Sequence, residues 1–207
     1  VKTHWRALGL VATLACAVAA HAGTQAEEKL SASVVAYLSR ALADRAAPRI
    51  LSDDPAQAQR WIAEMSSRLP KGKPEVETAR EFLTTVHYES TRAGLDPQLV
   101  LAVIHYESAF RKYAVSVAGA RGFMQVMPFW VTLIGSPEHN LFNLRTNLRY
   151  GCTILRHYLD REKGDVARAL ARYNGSLGQT EYSNGVLNLL NRRWSYGNST
   201  IIEARER

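Results

Sequence analysis

Residues 103–128 read VIHYESAFRKYAVSVAGARGFMQVMP. The stretch begins as an apolar helix, meets one acid at Glu107, and passes through a glycine-punctuated loop into Phe123-Met124-Gln125-Val126-Met127-Pro128. Val100, Val103 and Ile104 stand seven, four and three residues before Glu107 and Phe110 three after it, so all share one helical face. If that face is buried, the carboxyl that closes it acquires a raised pKa, because burial disfavours the charged form; a Glu then becomes a general acid near neutral pH. The same pattern suits a helix that ends here with Glu107 in solvent. Spacing alone leaves both readings open.

Outward from this stretch the chain reads as a succession of helices. Upstream, Asp96-Pro97 is a cap followed by proline at the first helical position, and Asp54-Pro55 repeats the signal for a helix running to Leu69. Leu30, Val34, Leu38 and Leu42 recur at steps of four inside a predicted helix over 24–47. Pro70-Lys71-Gly72-Lys73-Pro74 is the clearest linker, and a helix follows from Glu75 to about Arg92, stopped by Gly94. Downstream, Pro128 opens a short helix to Ile134. Asn147–Glu162 is amphipathic, with Leu148, Cys152, Leu155 and Leu159 on one side, and Asp165 caps a helix to Tyr173. Gly175, Gly178, Asn184 and Gly185 mark a loop before a final helix over Val186–Trp194. Period-two strand patterns are nearly absent, so the fold class is mainly α. His-Tyr-Glu-Ser occurs at 87–90 and again at 105–108, but nothing around the tetrapeptide repeats; Glu89, in a polar helix end, reads as a solvated acid.

The first residues read as an export signal: Lys2 and Arg6, an apolar run from Leu8 to Ala20, and Ala20-His21-Ala22 as a cleavage site, giving a signal peptide over 1–22. The run is shorter than the ~20 residues that span a bilayer. A retained anchor, or a lipidated Cys16, is the alternative, and Thr13 departs from the usual lipid-attachment pattern. Cleavage leaves Cys152 as the one remaining cysteine of two, a core thiol without a disulfide partner. The 207-residue chain carries +7; without Lys2 and Arg6 its 26 basic residues fall to 24 against 19 acidic, about +5, an excess suited to an anionic polymer or surface. No basic run or zinc-finger spacing points to nucleic acid, and no spacing suggests a metal site. The expected division is a signal over 1–22, a helical extension over 23–70 and a catalytic domain over 71–207.

Taken in order, Gly94-Leu95-Asp96-Pro97, Glu107-Ser108-x-Phe110, Ser116, GARGFMQVMP over 119–128, Asn147…Gly151…Leu155 and Ala171-Arg172-Tyr173-Asn174-Gly175 resemble the soluble lytic transglycosylase domain. The resemblance covers roughly residues 75–196. It implies a lysozyme-like helical fold, peptidoglycan glycan strands as substrate, no cofactor, and non-hydrolytic cleavage of the bond between N-acetylmuramic acid and N-acetylglucosamine to a 1,6-anhydro product. By that likeness Glu107 is the single catalytic acid and base. Ser116, Gln125, Met127, Tyr173 and Asn174 contact substrate, with Tyr173 able to hydrogen-bond the catalytic carboxyl or the sugar, and Ser108 and Met124 lend support. Arg172 and Gly175-Ser176 depart from the family's usual small residue and Ala-Gly, which alters the loop after Tyr173-Asn174.

Between Glu107 and Glu138 there is no Asp or Glu, whereas ordinary glycosidases use two carboxylates; this favours the intramolecular route. Asp160, Glu162 and Asp165 read as solvated helix-end charges, and Tyr182, Trp194 and Tyr196 as core or cleft wall. Two other functions stay open: a hydrolytic muramidase similar to goose-type lysozyme, and a non-catalytic glycan-binding component of an envelope complex. The expected location is the periplasm. Residues 24–69 are the candidate contact for an envelope or secretion partner; the oligomeric state is not legible.

Overall fold

A computed structural model of the chain describes residues 25, 29–52, 54–74 and 78–197. The expected signal segment and Cys16 lie outside these. Among the described residues eight α-helices run in order: α1 Ala32–Leu42, α2 Pro55–Arg68, α3 Ala79–Arg92, α4 Pro97–Ser108, α5 Phe129–Ile134, α6 Leu144–Arg161, α7 Val166–Asn174 and α8 Glu181–Leu189, the last continuing into a π-helical turn over Leu190–Trp194. Among the described residues, β-structure is confined to two isolated bridges, Val115 with Arg121 and Arg121 with Val126. The chain is mainly α, as expected.

Most helix starts follow from local chemistry. The first turn of a helix has N–H groups without intrahelical partners, and a short oxygen-bearing side chain just before it accepts from them. Asp54 accepts from Ala56 and Gln57, Thr78 from Glu81, Asp96 from Gln98, and Asp165 from Arg168. α6 starts three residues before the expected Asn147 because Asn143 is its cap, accepting from the Thr146 N–H. Asn147 is thereby moved inside the helix and freed for another task. α8 also starts early, at Glu181, with Asn184 and Gly185 inside it. Gly185 is needed there for close approach: a Cβ would lie 2.2 Å from the Tyr106 ring.

α4 is the central element. The sequence suggested one apolar stripe, but Gln98 to Ile104 are buried without a break, as are Glu107 and Ser108; the helix is enclosed on every side. α3, α8 and the π turn pack round it, while α6 crosses α3 and α7. Aromatic rings fill the junction: Phe82 stands 5.2 Å from Phe123 and 5.9 Å from Phe110, and Phe110 is 5.4 Å from Trp194. Leu38, Leu42, Trp61, Ile62 and Met65 of α1 and α2 join the same continuous core.

Glu89 corrects the sequence reading. Far from solvated, it is 0% exposed. Arg149 reaches it at 2.9 Å, Arg92 at 3.0 Å and Arg145 at 3.4 Å. The same three arginines donate to the carbonyls of Ala41, Leu42, Asp44 and Ala46. This explains why α1 stops at Leu42 and not near residue 47: the carbonyls at its end find partners in α3 and α6 rather than in another helical turn. Asp44 accepts from the Ala46 N–H and from the Tyr88 hydroxyl, and nearby Arg149 and Arg92 add to holding its carboxyl below the usual carboxylate range. Glu162 likewise is not free at its helix end, since Arg172 and Arg168 both bond it.

Removing one member of a buried ionic group leaves the others uncompensated, at a cost of ~3–5 kcal/mol. Glu89→Gln is therefore expected to lower the unfolding free energy by an amount in that range, read as a lower urea midpoint, and to speed amide exchange at Asp44–Ala46. An unchanged midpoint would show that the arginines do not depend on Glu89.

Candidate active site

Glu107 is the penultimate residue of α4 and is 6% exposed. The helix ends directly after it because Ala109 turns left-handed at φ 48°, followed by Phe110 at φ 62°. Two consecutive non-glycine residues in that region carry backbone strain, held here by the buried Phe110 ring. Burial pushes the Glu107 carboxyl up to about 8, and a hydrogen bond from Tyr182 opposes the rise. Its place at the C-terminal end of α4, where the helix dipole disfavours an anion, acts in the same sense as burial. The carboxyl therefore holds its proton at neutral pH.

The Tyr182 hydroxyl donates to Oε1 of Glu107 at 2.6 Å. This leaves Oε2 as the oxygen that can present the proton. Tyr182 packs edge-on against Tyr106, with centroids 5.1 Å apart, and Tyr106 sits over Gly185. Tyr173, which the resemblance suggested might reach the carboxyl or a sugar, is wholly buried and donates to the Met124 carbonyl at 2.6 Å. Burial, and next the nearby Glu107, raise its own ionisation well above the usual tyrosine range, so it stays a neutral donor. The sequence places Tyr182 only as core or cleft wall and does not assign it to the carboxyl. The glycines at 175, 178 and 185 made its surroundings look like a loop; the four-residue step from Tyr182 to buried Val186 was the helical signal.

Asn147 holds the loop between Gly119 and Pro128. Its Oδ1 accepts from the Met124 N–H, and its Nδ2 donates to the carbonyls of Arg121 and Leu141, each at 2.8 Å. Gly122 is required beside it, since a Cβ would stand 2.4 Å from that Nδ2. Gln125, at φ 48°, is buried and spends its amide nitrogen on the carbonyls of Ala114 and Gly122. Ser116 accepts from the Ala120 N–H at 3.0 Å, keeping its own hydroxyl proton available. Met124 is buried in the core, while Met127 is half-buried at its edge. Ser108 bonds back to the Ile104 carbonyl. Asn174 is buried with its Nδ2 lacking a hydrogen-bond partner among the described residues.

Tyr173 and Asn147 thus both grip the 119–128 loop. Gln125 and Ser116 stabilise it from within, and Tyr182 alone of the tyrosines touches Glu107. Trp194 is core, its indole N–H directed at His105. Cys152 is a buried thiol whose pKa burial pushes far up, an inert core residue. Among the described residues no three His, Cys, Asp or Glu stand together as a metal site.

A helical domain organised round one buried, proton-holding carboxyl is the class that this geometry defines. Residues 84–185 match the family model described as the Transglycosylase SLT domain. The transglycosylase of Enterobacteria phage PRD1 is 35% identical over 104 residues, covering 50% of this chain and 38% of that protein. The membrane-bound lytic murein transglycosylase C of Actinobacillus pleuropneumoniae is 40% identical over 72 residues, covering 35% and 20%. The chain thus spans well under half the length of these curated relatives. Among solved structures, an inactive mutant of the lytic transglycosylase Slt from Pseudomonas aeruginosa aligns with TM-score 0.44 and 24% identity over 65% of this chain and 23% of that one.

Two outcomes follow from the burial of Glu107. The folded value, about 8, lies above the ordinary 4.5, so the folded state binds the proton more tightly. Its contribution to stability is whole below 4.5 and is lost as pH rises to 8. Relative to wild type, Glu107→Gln should gain stability across that window, by on the order of a few kcal/mol at pH 9, as read by urea unfolding at pH 5 and pH 9. Tyr182→Phe removes the donor that favours the carboxylate, so the Glu107 titration followed by carbon NMR should move higher; a downward move would contradict the assigned bond.

Proposed function

We propose that the protein is a peptidoglycan lytic transglycosylase in which Glu107 serves as both acid and base. The observation that carries this reading is a buried carboxyl protonated at neutral pH, with one oxygen held by Tyr182 and the other left to act. Protonated Glu107 gives its proton to the oxygen joining muramic acid C1 to the glucosamine ring, and the C1–O bond breaks. The muramoyl C6 hydroxyl oxygen then closes on C1, and its proton goes to the Glu107 carboxylate. The acid is regenerated, no water is consumed, and the product ends in a 1,6-anhydro ring.

A pKa near 8 suits this double task, since the group must first lose and then recover a proton near neutrality. Glycosidases that use a second carboxylate place it ~5–9.5 Å from the first. Burial raises the Glu107 carboxyl and Tyr182 opposes the rise; the acid-free sequence from Ser108 to Pro137 supports the one-acid route. The family match and the names of the relatives point to the same substrate.

In this reading Asn174 offers its unpartnered Nδ2, Ser116 its hydroxyl proton and Gln125 its Oε1 to sugar hydroxyl and N-acetyl groups, while Met127 lines the edge. Tyr173 acts through Met124, with Ser108 in support. The catalytic unit is taken as 71–207, with 23–70 an extension laid on it that can also meet an envelope partner. No helix among the described residues is long and apolar enough to cross a membrane; export to the periplasm by the segment 1–22 remains part of the proposal.

Digestion of isolated sacculi followed by mass spectrometry should give 1,6-anhydromuropeptides. Reducing-end products would make the protein a hydrolase, and binding without products would make it a glycan-binding component. Glu107→Gln should cut turnover by about 10²–10⁴-fold while leaving the far-UV circular dichroism spectrum unchanged.

A further inference from the structure

From Ser108 to Pro137 the chain carries Arg111, Lys112 and Arg121 and no acid. Within this positive stretch Tyr113 is 63% exposed, an unusual state for a large aromatic. Its ring stands against Phe142, with centroids 5.8 Å apart and planes inclined at 50°. The Lys112 ammonium is 5.2 Å from the centre of the Tyr113 ring, and the Arg121 guanidinium is 6.0 Å from that of Phe142. Two rings are thus flanked by two cations.

Both aromatics rest on pinned backbone. The carbonyl of Ala114, next to Tyr113, accepts from Gln125 Nε2 and from the Gly122 N–H. The carbonyl of Leu141, next to Phe142, accepts from Asn147, and the Phe142 N–H donates to Asn140. The pair is therefore built onto the same loop framework that Asn147 holds. Little ordering is needed when a ligand settles on it.

An exposed ring face takes the C–H face of a pyranose, and an adjacent ammonium or guanidinium takes a carboxylate. A ligand that presents both is a glycan strand bearing peptide stems with free carboxylates. We propose that Tyr113 and Phe142, with Lys112 and Arg121, form a subsite that favours stem-bearing glycan strands over strands stripped of their peptides. This rests on the peptidoglycan reading of Glu107 and adds a preference that the buried site alone does not supply. Exposed contacts are individually weak and screened by salt, so the preference expected is about threefold to tenfold and falls as salt rises.

The test compares intact glycan strands with strands denuded by an amidase. In the turnover arm, wild type should show the lower KM on intact strands. Tyr113→Ala should raise KM on both substrates with little change in kcat, and Tyr113→Phe should restore it. Lys112→Gln combined with Arg121→Gln should remove the preference for intact strands. In the binding arm, Glu107→Gln is used as the background so that strands are held without being cut. Equal KM and equal binding for both strands in wild type and variants would overturn the subsite. So would Tyr113-dependent binding to phosphatidylglycerol vesicles with strand binding unaffected, which would make the patch a membrane contact. Failure of wild type to cleave either strand would reject the reading of Glu107, while the binding arm would still decide the subsite.

Discussion

Removal of one carboxyl from water is the constraint to which the rest of the structure answers. Glu107 lies at the end of a helix enclosed on all sides, and burial raises its pKa to about 8. In solvent the same residue would be an ordinary carboxylate, unable to donate a proton at neutral pH. α3, α8 and the π turn supply the enclosure, and the left-handed Ala109 and Phe110 end the helix immediately beyond the acid. The hydrogen bond from Tyr182 opposes the shift by favouring the charged form.

Two further buried polar groups support this arrangement from different directions. Asn147 satisfies backbone groups on both the 119–128 loop and the segment before α6, converting a glycine-rich stretch into a fixed wall. Glu89 gathers three arginines that in turn satisfy the carbonyls ending α1. The Asn147 side chain and the Glu89 carboxylate have defined partners, and leaving either unpaired would cost about as much as a lost core contact. Asn174 Nδ2 and Arg92 Nη2 are among the buried groups without a hydrogen-bond partner in the described residues.

Local signals were read well where the physics is local. The caps at Asp54, Asp96 and Asp165 name their own helices because each bonds within three residues of itself. Glu107 was legible as a candidate from its apolar stripe, and the order of the surrounding motifs pointed to its family. The errors share a cause. Glu89 looked solvated because its partner Arg149 is 60 residues away, and α1 looked longer because the arginines that end it belong to α3 and α6. Gly185 looked like a loop residue because the ring it accommodates, Tyr106, lies on another helix.

The sequence by itself determined a mainly helical chain, the starts of α2, α4, α5 and α7, and Glu107 as the candidate acid. Those depend on side chains acting on nearby backbone, or on a pattern preserved in chain order. Only the tertiary structure decided that Tyr182, 75 residues from Glu107, is the tyrosine that touches it, that Tyr173 holds Met124 instead, and that Glu89 is a buried ionic centre. Desolvation and long-range hydrogen bonding depend on what the folded chain brings together, and no spacing along the sequence encodes that distance.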